Sequence, residues 1–250
     1  ARDGYERRVE KLEKLMSNLP DYMYDTTGAL CEWVMNEYED NNAHRHISHL
    51  YCAWPGYETH DSEILAQACN TAIDNRNREN LGKDDTASHG WVHKALVAAR
   101  LKNGEAAYDM LYTLMSSDIY YTSLMTDHNT DRSKGVFCTD TSIGVVGVIN
   151  EMLLYSDTGE IELFPALPQE WTKGSIRGLM ARTNAQLTNL EWNVDEGIAL
   201  ASLRSYSDQR IKISCRIGKG YFSTSSGETY QNGTVIEFKA NEEINIRVLL

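Results

Sequence analysis

A helical first part followed by an antiparallel β part is the fold class this sequence predicts, a multi-domain chain of the α-then-β kind. Two observations carry it. Apolar residues recur at spacings of three and four up to about residue 159 and at a spacing of two beyond it. The acidic excess divides at the same place: residues 1–159 hold 14 Lys/Arg and 25 Asp/Glu, and residues 160–250 hold 10 and 11. A balance of −11 against −1 sets two parts of different surface chemistry end to end, read here as domains 1–159 and 160–250.

The helical elements follow in order. Val9, Leu12, Leu15 and Met16 repeat at helical spacing. Ile64, Leu65, Ala68, Cys69, Ala72 and Ile73 form a second stripe behind Asp61 and Ser62, either of which can cap a helix start. Trp91–Leu101 predicts a third helix and Ala107–Met115 a fourth. The short turn Lys102-Asn103-Gly104 between them makes the pair an antiparallel helical hairpin. Ile143, Val146, Ile149, Met152 and Leu153 give a fifth.

After Asp157-Thr158-Gly159 the pattern alternates. Ile211, Ile213, Cys215 and Ile217 take turns with Arg210, Lys212, Ser214 and Arg216, and Ile244, Ile246, Val248 and Leu250 alternate in the same way. Asn232-Gly233 is a hairpin-turn signal. Residues 160–250 therefore predict an antiparallel β-sandwich of about 7–8 strands. Phe164-Pro165-Ala166-Leu167-Pro168, with Trp171, is the joint between the parts. Residues 17–60 and 116–141 are long, aromatic and polar. Segments of that length inside a compact domain are usually functional or disordered, and their aromatic content argues against disorder, so both are expected to line a cleft at one end of the helices.

The formal net charge of −12 argues against binding nucleic acid by phosphate neutralisation. No apolar run reaches the length of a membrane span. The first residue is Ala, with no charged and apolar leader behind it, which reads as a processed chain or a piece of a longer one. Five cysteines, Cys31, Cys52, Cys69, Cys138 and Cys215, show no C-x-x-C spacing, and Cys69 and Cys215 fall on apolar faces as small buried hydrophobes. No cofactor is implied.

The densest polar cluster is His44-Arg45-His46-Ile47-Ser48-His49-Leu50-Tyr51, closed by Trp54-Pro55-Gly56. Three readings compete for it. Its side chains can cap helix ends and find structural partners. His44-x-His46, with His49, has a metal-ligand spacing. A fixed guanidinium beside imidazoles also suits paired hydroxyls. Asp140 precedes Ile143 as a helix cap would. Asp140-Thr141-Ser142 and Asp157-Thr158-Gly159 imitate aspartic-protease motifs, but a helix separates them and no two-lobed β structure holds them, so that chemistry is rejected. Trp91, beside His89 and Gly90 at a helix start, is expected to line the pocket.

The chain resembles the C-terminal third of glycoside hydrolase family 95, the inverting α-L-fucosidases and α-L-galactosidases. The matching stretches are Glu32-Trp33, His44 to Tyr51, Pro55-Gly56, Gly90-Trp91, Ala99-Arg100-Leu101-Lys102-Asn103-Gly104, Thr139-Asp140, Gly144, Glu151-Met152-Leu153-Leu154 and Gly159 to Pro168. They cover most of residues 30–180 in consistent order. The resemblance implies a partial (α/α)6 barrel followed by an antiparallel β-sandwich, residues 1–159 being the last part of the barrel. It implies that Arg45 and His46 contact the sugar and that Asp140 orients and activates a catalytic asparagine. That asparagine and the general-acid glutamate would lie upstream of this chain. The implied partners are an oligosaccharide ending in α-L-fucose, or a related L-sugar, and the upstream part of the same enzyme.

The sequence departs from the family where the usual Gly-Asn-Phe after the aspartate becomes Thr141-Ser142-Ile143, and where Val92 and Ala95 replace a Ser and a second Trp. Besides a glycosidase, two other classes of function fit the residues: a non-catalytic carbohydrate-binding or scaffolding fragment, and a metal-dependent hydrolase built on the histidines.

Overall fold

The third helix is the most enclosed of the described helices. Helix α3 (Ser88–Arg100) buries Val92 and every residue from Ala95 to Ala99, and α4 (Gly104–Ser116) and α5 (Thr139–Leu153) both pack on it. The computed structural model describes residues 2–35, 37–80, 87–117, 119–121, 123–128 and 136–250; parts of the long 116–141 segment thus lie outside the described residues. Helices α1 (Arg2–Met16) and α2 (Glu63–Asn80) come first in the chain, with a short 3-10 helix, Ser48–Cys52, between them.

Local chemistry sets the boundaries. The Ser62 hydroxyl accepts from the Leu65 N–H at 3.2 Å, so Ser62 caps the start of α2. Asn103 accepts from the Ala106 N–H at 3.1 Å and opens α4. Gly104 is required there by a close approach, since a Cβ would stand 2.7 Å from the Ala166 carbonyl oxygen of the joint. Gly144 has the same role between helices. A Cβ there would come within 2.6 Å of Val92 Cγ1, a stiff branched side chain.

Apolar period and burial part company on the outer faces. Leu12, Leu15 and Met16 of α1, Ile64 of α2, Met115 of α4, and Ile143 and Val146 of α5 are all exposed. Helix α2 buries the rest of its stripe from Leu65 to Ile73, whereas α5 turns a different face inward, burying Thr141, Val145 and Val148 with Met152 and Leu153 in place of Ile143 and Val146.

The β part is two sheets enclosing one core. The smaller runs β1 (Leu154–Asp157), β2 (Glu160–Leu163), β7 (Gln209–Cys215), β10 (Thr234–Phe238). The larger runs β3 (Lys173–Ile176), β5 (Ala185–Asn193), β6 (Ile198–Ser205), β11 (Glu243–Leu249), β8 (Tyr221–Thr224), β9 (Thr229–Gln231), with β4 (Leu179–Ala181) also on β5. Leu163, Phe164, Leu190, Leu203, Ile213 and Phe238 meet between them.

Three details correct the sequence reading. Residues 160–250 hold ten strands where 7–8 were expected, because β3, β4, β8 and β9 are three or four residues long and carry no sustained alternation. One pairing, β2 with β7, is parallel in an otherwise antiparallel structure. Asn232-Gly233 does not close a hairpin. It joins β9 in the large sheet to β10 in the small one, and the Asn232 amide bonds the Cys215 N–H at 2.8 Å and carbonyl at 2.9 Å.

Helix α5 passes directly into β1, so strand structure begins before the Asp157-Thr158-Gly159 turn. Charged groups tie the parts together. Glu151 takes Arg100 at 3.0 Å and Arg182 at 3.1 Å, Lys102 meets Glu162 at 2.6 Å, and His60 meets Glu160 at 3.2 Å. Trp171 packs against both cores and its carbonyl accepts from the Trp192 indole at 2.8 Å.

Candidate functional site

The starts of α3 and α5 are pinned side by side. The buried Thr141 hydroxyl donates to the Ser88 hydroxyl at 2.7 Å, and the Ser88 N–H donates to the His128 carbonyl at 2.7 Å. Cys138, just ahead of α5, is bridged to Thr126 by its own N–H at 3.0 Å and by the Thr126 hydroxyl at 2.6 Å. Two departures from the family pattern therefore have a physical account. Thr141 supplies the pin, and Val92 fills the space that Gly144 leaves open.

Five of the seven histidines gather at this end. The His46 ring lies 4.9 Å from His44 and 5.3 Å from His89; His89 in turn lies 5.6 Å from His93 and 4.9 Å from His128. His89 and His93 share a face because they stand one turn apart on α3. His46 and His93, with Ser48, Tyr51, Trp54 and Val97, line a cleft of about 250 Å³. That is small beside the ~300–1,000 Å³ usual for small-molecule sites.

The residues singled out from the sequence are not all in one place. His46 lines the cleft. Arg45 stands near enough to His89 to oppose protonation of that ring. Asp140 is exposed in the first turn of α5 and reaches the cleft through His93, whose charged form its carboxylate favours against the effect of burial. Trp91 is set apart. Two residues from both His89 and His93, it lies about 200° round the helix from each, half-buried against the helical core with the Lys94 ammonium 5.5 Å from its ring centre. His49 faces inward with a buried Nδ1 that has no hydrogen-bond partner. Among the described residues no three His, Cys, Asp or Glu side chains converge as metal ligands would.

What the sequence reading missed is Arg76. This guanidinium, in the last turns of α2, is wholly buried and donates to the carbonyls of His44, at 3.0 Å, and His46. Its Nη2 meets Glu32 at 2.9 Å. The Glu32 N–H is held in turn by Asp40 at 2.8 Å. A signal was present: Arg76 continues the Leu65, Cys69, Ala72 stripe by one more turn, so a charge falls on an apolar face. His93, four residues after His89, was the other legible pointer.

Burial, and next to it the Arg76 charge, lowers the His49 pKa from 6.5 to about 4. Burial and the neighbouring His128, His93, His46 and Arg45 lower that of His89 to about 4. A depressed histidine pKa means that the unfolded chain binds protons the folded chain refuses. This stabilisation is full above about 6.5 and is lost as pH falls toward 4. Urea midpoints should therefore drop between pH 7 and pH 5, before carboxylates titrate, and His49→Gln should flatten the drop. A midpoint constant across that interval would contradict the assignment.

The model of the glycosyl hydrolase family 95 catalytic domain matches residues 3–153, and that of the family's C-terminal domain matches residues 155–248. This chain belongs to glycoside hydrolase family 95. It is 30% identical over 198 residues to α-L-fucosidase 2 of Arabidopsis thaliana, covering 74% of this chain and 22% of that protein. It is 27% identical over 204 residues to the probable α-fucosidase A of Aspergillus oryzae, covering 73% and 27%. The chain thus spans about a quarter of the length of these relatives. A solved GH127 β-L-arabinofuranosidase from Geobacillus stearothermophilus T6 aligns over 80% of this chain and 41% of its own at a TM-score of 0.39 and 13% identity, a level that carries no argument. Among the described residues no helix is long and apolar enough to cross a membrane.

Proposed function

We propose that this chain is the sugar-binding and base-activating portion of an inverting glycoside hydrolase that releases terminal α-L-fucose, or a related L-sugar such as α-L-galactose, from oligosaccharides. The observation that carries this reading is the meeting of the Arg45–His46 loop with the starts of α3 and α5, in a chain of this family. Arg45 cannot lose its charge and offers donors in a fixed fork, which suits paired ring hydroxyls. His46 adds a donor or acceptor at the cleft wall. Trp91, half-buried against the helical core two residues from both His89 and His93, is a third candidate for contact with the sugar.

The chemistry asks for three groups in the order of an inverting displacement. A carboxylic acid protonates the glycosidic oxygen, and that C–O bond breaks as water attacks the anomeric carbon from the opposite face, giving its proton to a base. An amide is a poor base by itself. Asp140 accepts the N–H of a catalytic asparagine and so pushes electron density onto its carbonyl oxygen. The asparagine and the acid belong to an upstream part of the same enzyme. In this reading the five helices are the last part of an (α/α)6 barrel. The exposed apolar residues of α1, α2, α4 and α5 are surfaces for that upstream part.

Hydrolysis of an aryl α-L-fucoside tests it. The complete enzyme should turn the substrate over, and the 250-residue chain should not, because losing the general acid alone commonly costs about 10²–10⁴ in rate. Clear turnover by the purified chain would place the acid within it, with Glu32, Glu37 and Glu58 the first to substitute. Inertness of the complete enzyme would favour a non-catalytic carbohydrate-binding fragment.

A further inference from the structure

We propose that Arg76 is a positioning residue for sugar binding, a buried clamp that fixes the backbone on both sides of Arg45. The inference rests on the sugar reading above. The loop from Glu32 to His46 has no helix or strand to hold it, yet a binding group must be fixed closely to be useful. Arg76 supplies the fixing. It donates to the carbonyls of His44 and His46, so the 44–45 and 46–47 peptide units, on either side of the Arg45–His46 link, are tied to helix α2. Its remaining bond, to Glu32, fastens the other end of the loop to the same guanidinium.

The residue type fits the task. Three acceptors arranged round one planar cation call for a fork of donors, and a lysine ammonium is a single point on a flexible stem. The Arg76 side chain is 1% exposed, so it cannot touch a sugar itself, and anything it does for binding passes through the loop. The bonds to the two carbonyls are also shielded from water, which would otherwise compete for them.

The test compares Arg76→Lys and the milder Glu32→Gln with the unsubstituted complete enzyme. Two readouts are used: amide exchange of residues 41–49, and KM and kcat for an aryl α-L-fucoside. The clamp predicts at least tenfold faster exchange in the loop for Arg76→Lys, with α3 and the β-sheets still protected. It also predicts a KM raised about tenfold or more, with a smaller change in kcat. A merely structural role would instead lower the fraction of active molecules, reducing apparent kcat at constant KM, and that result overturns the proposal. So does loop exchange that stays unchanged in both variants. If Arg76→Lys does not fold, Glu32→Gln carries the same two predictions at smaller amplitude. An unsubstituted enzyme with no activity on any fucoside sinks the sugar reading, and the clamp is then judged by loop exchange alone.

Discussion

Asp140→Asn, made in the complete enzyme, should leave the fold nearly intact and lower kcat on the order of 10²–10⁴-fold. The side chain is exposed in the first turn of α5, so the core does not depend on it. Its structural worth is that of an acid near a helix start, ~0.3–1 kcal/mol. Its proposed chemical worth is much larger, because an asparagine without a carboxylate on its amide is a weak base for water. An Asn at 140 keeps the shape and loses the charge. Melting temperature and kcat of the variant separate the two roles. A loss within about tenfold, ~1.4 kcal/mol in the barrier, would reduce Asp140 to a first-turn residue.

Glu151→Ala should cost about 3–5 kcal/mol of stability. Glu151 ends α5 and receives both Arg100 of α3 and Arg182 of the β part. The Arg100 side chain is 1% exposed. With the carboxylate gone, its guanidinium keeps the Gly56 carbonyl at 2.7 Å and the faces of Tyr57 and Tyr155, which do not neutralise it. Breaking a buried pair from one side leaves an uncompensated charge, which costs more than the pair contributes. Glu151→Gln should cost less, since an amide oxygen still accepts. Denaturant unfolding that shifts by under about 1 kcal/mol for the alanine variant would show that water reaches Arg100.

The elements legible in the sequence are those whose signal is local. The Lys102-Asn103-Gly104 turn lies between two strong helical stripes, and α3 and α4 form where they were expected. Strands β7 and β11 bury the alternating set that the sequence marks. What failed was information held by neighbours. The stripe on α1 specifies a helix and says nothing about what covers it, and Leu12, Leu15 and Met16 are exposed. Asn232-Gly233 specifies a tight turn, whereas its strands' partners are chosen by the sheets. At the site, His46 and Asp140 were legible as polar groups in the sequence, His46 at the cleft and Asp140 exposed at the start of α5. The direction of Trp91 needed the exact phase of α3, and Arg76 matters because of two backbone carbonyls that no residue pattern encodes.

The claim that the Arg45–His46 loop binds a sugar is tested most directly by titrating L-fucose into the complete enzyme and its His46→Ala variant, with and without chelator. Saturable binding is expected in the unsubstituted enzyme, weaker by about tenfold or more in the variant, ~1.4 kcal/mol, and untouched by chelator. A stoichiometric bound transition metal, or binding lost to chelator and restored by zinc, would contradict the account and make the histidines ligands.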